Sequence, residues 1–342
     1  YVWSEQAAGV GHYAKYANQR VAESDTQNLL IQLAMENSAR TGKPIDKRAI
    51  DNVAQEIQQN VDAKEARRVY DSPSKGVLWG WEVPAYVWTK AIATGTFLMM
   101  AVWHFFNGGL ESSSEMAGLM TTLVFMGFTG ALLVKDIDRP DRFLYVLLRP
   151  QWKSWLVRGA YIITVFGGLV SLKLLDNYYQ LGHDWLWIPG TLFAGLGAVY
   201  TAFLFNQARA RDLWQTPIQS AIHMLVHAIM AGSVVLMIIA PESIEWMANI
   251  LLWGIGANIV IMAKEILMPH DTPDTKKAIH LMTKGYYSKY FWFGATYGNL
   301  GSAVILVTLS GSWALFAGVM ALIGIYLTEF VRIRVPQMIP LS

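Results

Sequence analysis

The chain has 342 residues, 54% of them hydrophobic and 15% charged, with a mean hydropathy of +0.30; this apolar share exceeds the soluble globular norm and excludes a disordered or collagen-like chain. The formal net charge of +2, without one continuous basic stripe, excludes a nucleic-acid partner. With no cysteine, the chain itself cannot hold an ordinary iron–sulfur cluster, a zinc ribbon, a disulfide framework or a thiol nucleophile.

The first residue is Tyr1 and no short apolar leader follows it, which reads as a truncated or processed start. From Tyr1 to about Lys75 the sequence is polar, with ten Lys or Arg. Ser24 and Asp25 can cap one helix that Gly42 stops, and Ile50, Val53, Ile57 and Val61 repeat at helical spacing in a second. Residues 1–78 are therefore expected to form a polar helical extension whose narrow apolar stripe packs on a partner or on membrane-domain loops.

Eight apolar runs occupy residues 79–342: Val83 to Phe106, Met116 to Val134, Leu156 to Leu175, Leu186 to Phe205, Ile218 to Ala240, Ile244 to Ala263, Tyr290 to Leu309 and Ser312 to Val331. Each is long enough to span hydrocarbon as a helix. The fold expected is an all-α integral membrane protein of eight transmembrane helices, arranged as two four-helix bundles. Loops on one side carry Lys135, Arg139, Arg142, Arg149, Lys153, Arg209, Arg211, Lys276, Lys277 and Arg334, and the other side has Lys173 alone among Glu111, Glu115, Asp176, Asp184 and Glu242. This bias puts both termini in the cytoplasm of a cell whose inner membrane holds the protein.

Tryptophans at the run ends, among them Trp79, Trp81, Trp88, Trp187, Trp214 and Trp246, read as interfacial anchors. Gly127 with Gly130, Gly167 with Gly168, and Gly190, Gly195 and Gly197 are expected to mark close helix packing. Ionisable residues inside the runs are few, since each costs roughly 2.5 to 3.5 kcal/mol at mid-membrane. Lys90 follows Tyr86 by one turn. His223 and His227 share one face of the fifth run, where two imidazoles suit a proton path, a haem-bearing helix or a satisfied structural pair. Glu329, three residues before Arg332, reads as a structural ion pair, and Asn258 and Asn299 as bonds between neighbouring helices.

Three stretches carry a resemblance. Lys135-Asp136-Ile137-Asp138-Arg139-Pro140-Asp141-Arg142-Phe143, followed by Arg149-Pro150-Gln151-Trp152-Lys153-Ser154-Trp155, resembles the loop between the second and third helices of polysulfide reductase (NrfD-like) membrane anchors. Ile137 and Asp138 stand where Leu and Gly are usual. Tyr200-Thr201-Ala202-Phe203-Leu204-Phe205 with Leu213-Trp214-Gln215-Thr216-Pro217, and the Trp79-Gly80-Trp81 approach to the first helix, are similar to further segments of that family. The ending Pro340-Leu341-Ser342 is also similar.

The resemblance implies a quinone-handling subunit that binds menaquinone or ubiquinone as substrate and exchanges electrons with an iron–sulfur partner in a larger redox complex. No haem is expected. It assigns Tyr86 and Tyr200 to the headgroup, both at the basic side of the membrane. Physical chemistry adds Trp81 or Trp88 as a wall, Lys90 either snorkelling to the surface or holding a carboxylate partner beside the quinone, and Asp136, Asp138 and Arg139, with His223 and His227, as a route for protons. A secondary transporter or proton-translocating subunit, and a structural anchor without a working quinone site, are the competing readings.

Overall fold

The computed structural model describes residues 79–136, 143–207, 213–214, 216–268, 272–309 and 311–338, so the extension expected over residues 1–78 lies outside the described residues. In chain order the helices are α1 (Glu82–Asn107), α2 (Ser112–Asp136), the short α3 (Phe143–Leu148), α4 (Trp155–Tyr179), α5 (Trp187–Asn206), α6 (Pro217–Ile239), α7 (Ile244–Leu267), α8 (Pro273–Thr283) and α9 (Ser288–Phe293). A π-helical segment (Gly294–Gly301), α10 (Ser302–Thr308) and α11 (Trp313–Arg334) complete the bundle. Among the described residues there is no strand. That is what hydrocarbon demands, because a helix satisfies its own backbone.

Among the described residues, seven helices (α1, α2, α4, α5, α6, α7 and α11) are long and apolar enough to cross a membrane. The expected count of eight differs at the run Tyr290 to Leu309, which is helical from Ser288 to Thr308 but in three pieces. The π segment interrupts it, so no single α-helix of spanning length forms there. Nor do the contacts establish two separate four-helix bundles: α1 touches α2, α5, α6 and α11, and α6 touches α1, α5, α7 and α11, so these two helices join the halves.

The central place of α1 has a simple cause. Its most apolar stretch is 89% buried, against 28% for those of α2 and α4, which turn broad faces outward. Close approach to α6 is possible because Gly95 meets Gly232: a Cβ on Gly95 would overlap the carbonyl of Ala228, and one on Gly232 would overlap the Gly95 carbonyl. Without side chains between them, the two backbones reach van der Waals contact. The π segment uses the same device against α11, where a Cβ on Gly298 would overlap Gly324 Cα.

Several glycines expected at such contacts lie elsewhere. Gly127, Gly130, Gly168 and Gly195 have open space where a Cβ would go, and Gly167 meets the end of Met126 alone. Gly190 does make room, for the Phe97 ring, and Gly197 sits against Thr94. The difference follows from helix rotation, which decides whether a glycine faces a neighbour or lipid.

Replacing Gly232 by Val is expected to push α1 from α6 and lower stability by about 3 kcal/mol or more, since backbone cannot move aside as a side chain does. Gly130→Ala is expected to hold or raise stability by up to about 1 kcal/mol through helix propensity. Thermal unfolding of the two variants in detergent checks the contrast.

Candidate functional site

Two groups of buried polar side chains lie in the half of the bundle where α1 and α6 begin and α5, α7 and α11 end. The first is built on α1 and α5. Tyr86 and Lys90, one turn apart on α1, and Tyr200 on α5 are each no more than 3% exposed. The Lys90 ammonium lies 4.6 Å from the centre of the Tyr200 ring. It donates to the Ala198 carbonyl at 3.0 Å and to the Thr201 hydroxyl. Gly159 on α4 makes this possible, because a Cβ there would overlap the Tyr200 ring.

The other residues expected at this site are dispersed. Trp88, two residues and so about 200° around α1 from Tyr86, donates its indole N–H to the Leu322 carbonyl at 2.9 Å and meets Tyr326 edge-on. It faces α11. Trp81 stays at the rim, 37% exposed, with the Lys135 ammonium 4.3 Å above its ring. Lys135 also pairs with Glu82 at 3.2 Å and so ties the end of α2 to the start of α1. Asp136 closes α2. Asp138 and Arg139 lie outside the described residues.

The second group joins α6, α7, the π segment and α11. The His223 and His227 rings pack at a 57° tilt with centres 4.2 Å apart, and each directs Nε2 at the Asn258 side-chain oxygen, at 2.7 and 3.1 Å. Asn258 donates in turn to the Asn299 oxygen at 2.9 Å, and Asn299 to the Gly294 carbonyl at 3.2 Å. Arg332 donates to His223 Nδ1, to Glu329 at 3.2 Å and to Glu265 on α7, whose two oxygens lie 3.2 and 3.3 Å from Nε and Nη2. Glu329 is fully buried and its Oε1 lies 3.2 Å from His227 Nδ1.

The Glu329–Arg332 ion pair expected from sequence is therefore present. It is buried, however, and embedded in a network of four elements. Trp214, grouped by sequence with the interfacial anchors, is likewise buried, its ring packed 4.7 Å under the Arg332 guanidinium and 4.7 Å from Phe205. By spacing alone, His223, His227 and Glu329 could grip a metal ion. The donor set does not fit one: Arg332 already occupies His223 Nδ1 and Glu329, and its fixed charge would oppose a second cation there.

A further cluster pins the opposite end. Lys173, which sequence reading leaves alone among acidic loops, is buried and reaches Asp176 at 2.8 Å, Glu115 at 3.5 Å and Asp184 at 3.7 Å. His183 donates its backbone N–H to Asp176 at 2.9 Å. The ties run between α2, α4 and the turn leading into α5. His104 is also at this end, stacked on Trp187, away from His223 and His227.

A family profile described as polysulphide reductase, NrfD, matches residues 71–340. The chain belongs to the polysulphide reductase NrfD family. It is a multi-pass membrane protein of that family. No curated protein matches the chain. The match extends across both polar groups and every helix described above, so both groups sit in the NrfD portion of the chain.

Removing the Arg332 charge in Arg332→Met would strand Glu265 and Glu329, and is expected to cost about 3 to 5 kcal/mol, the range for breaking a buried pair from one side. Glu265→Gln, which keeps a hydrogen-bond acceptor, should cost less. Unfolding of both variants in the same detergent tests the order.

Proposed function

We propose that this NrfD-family chain is the quinone-handling subunit of a membrane oxidoreductase, binding menaquinone or ubiquinone beside Tyr86, Lys90 and Tyr200. It exchanges electrons with an iron–sulfur subunit that supplies the clusters a cysteine-free chain cannot hold. The observation that carries this reading is Lys90. A lysine buried among helices normally lies against a carboxylate, yet this one meets the Tyr200 ring, a carbonyl and a hydroxyl. Two of its three N–H groups are used, and the third has no acceptor among the described residues.

A quinone answers both needs. Its carbonyl oxygen accepts from an ammonium or a phenol, and the negative charge that develops on reduction is favoured beside a cation in a dry site. The tyrosine hydroxyls can donate to the same oxygens and hand on the protons that turn carbonyl into hydroxyl. A headgroup bound at the basic, loop-bearing end of the bundle lies near water in this reading, with Asp136 at the end of α2 and Asp138 and Arg139 soon after in sequence as the way out for protons. His227, beside Glu329 in the same half, adds proton-handling capacity, with His223 packed against it.

Quinone-analogue binding to the full chain in lipid nanodiscs is the test. Lys90→Met is expected to weaken affinity about tenfold or more, the value of one hydrogen bond from a charged donor. Tyr86→Phe and Tyr200→Phe should each weaken it by a smaller factor, while Trp88→Phe leaves it unchanged. Equal affinity in wild type and in all three site variants would defeat the assignment.

A further inference from the structure

The direction of every hydrogen in the histidine cluster follows from one backbone carbonyl. Gly294 O can only accept, so Asn299 turns its NH2 toward it and presents its oxygen to Asn258. The Asn258 NH2 is spent on that oxygen, which leaves its own oxygen facing both imidazoles. An amide oxygen cannot donate. Both Nε2 atoms therefore carry hydrogen.

At the other edge of the rings the two histidines part. His223 Nδ1 receives an N–H from Arg332, and a guanidinium has no lone pair to offer, so this nitrogen is bare and His223 is neutral. His227 Nδ1 instead lies in ion-pair contact 3.2 Å from Glu329 Oε1 and, among the described residues, makes no hydrogen bond. If His227 were neutral and Glu329 ionised, a nitrogen lone pair would face a carboxylate oxygen in a fully buried site. One hydrogen between them turns that repulsion into a bond.

We propose that His227 and Glu329 share a single proton between Nδ1 and Oε1, making the pair a buried proton-loading site, with His223 as a neutral positioning residue. The proposal rests on hydrogen-bond direction and not on the quinone reading, so either can fail alone. Charge balance agrees with it. Arg332 and Glu265 cancel, and with one shared proton His227 and Glu329 also sum to zero, the condition for burying the cluster cheaply. The charged or titratable groups facing it are His223 from α6, Glu265 from α7, Arg332 from α11 and, through the field of Glu329, Lys90 from α1.

The second Glu329 oxygen supplies an opening. Oε2 is buried and has no hydrogen-bond partner among the described residues, which is costly for a permanent carboxylate. It is the atom at which a proton can arrive or leave without disturbing Arg332, Asn258 or His223. Asn258, by contrast, has no proton to pass on, and acts as a stop.

Solid-state NMR of the full chain in lipid, labelled with 15N-histidine and 13C-glutamate, reads the site directly. The ring correlated with a buried glutamate is His227, so assignment needs no substitution. Expected is either an imidazolium at His227 or, with His227 neutral at Nδ1, a protonated-carboxyl infrared band that vanishes in Glu329→Gln. His223 should appear as the neutral ring with hydrogen on Nε2. Glu329→Gln keeps the side-chain volume and an amide oxygen that can accept from Arg332, and should take up one proton fewer in a pH titration of the whole chain. A neutral His227 beside an ionised Glu329, or hydrogen on His223 Nδ1, would overturn the proposal.

Discussion

Charge in a hydrocarbon-embedded bundle has to be cancelled within a few ångströms, and Arg332 is where this requirement organises the molecule. Its guanidinium reaches α6 through His223, α7 through Glu265 and its own helix through Glu329. A planar group with five donors can hold three partners at fixed angles, which lysine could not do. The positions of α6, α7 and α11 at this depth thus become one decision instead of three. Such a network adds little net stability over apolar packing; its value is that only one register satisfies it.

Glycine contacts supply the complementary constraint. Gly95 against Gly232, and Gly298 against Gly324, bring backbones together where no side chain intervenes. The polar network sets rotation and depth, whereas the glycines set distance. Lys173 and its three carboxylates do the same for α2, α4 and the start of α5 at the far end. Between these fixed points lie the aromatic and aliphatic clusters, with Phe97 edge-on to Phe166 and tilted against Trp187.

Much of the fold was legible because apolar length is a property of sequence alone, and seven of the expected runs appear as helices long enough to span. The interrupted run was not, because its total length and flanks are those of an apolar span; the three glycines and the asparagine of Gly294-Ala295-Thr296-Tyr297-Gly298-Asn299-Leu300-Gly301 are the signal that marked it. The i, i+3 spacing of Glu329 and Arg332 revealed their pairing, and the i, i+4 spacing of His223 and His227 their contact. What joins those pairs belongs to other helices. Counting depth from the basic end of each run would have placed His223 and Asn258 at similar levels, a signal present in the sequence. Glycine partners had no such signal, and neither did the turning of Trp88 toward α11 and away from Tyr86.

The π segment carries a consequence for how this chain can change over evolutionary time. A π turn holds one residue beyond the α-helical register, so deleting one residue there would close the segment to an α-helix and change the angles at which Gly294, Gly298 and Asn299 project. Gly298 and Asn299 are adjacent and turn together, so a change that parted Gly298 from Gly324 would also draw Asn299 from Asn258. Point substitutions on the lipid-facing side of this segment are free to drift, while its length is locked.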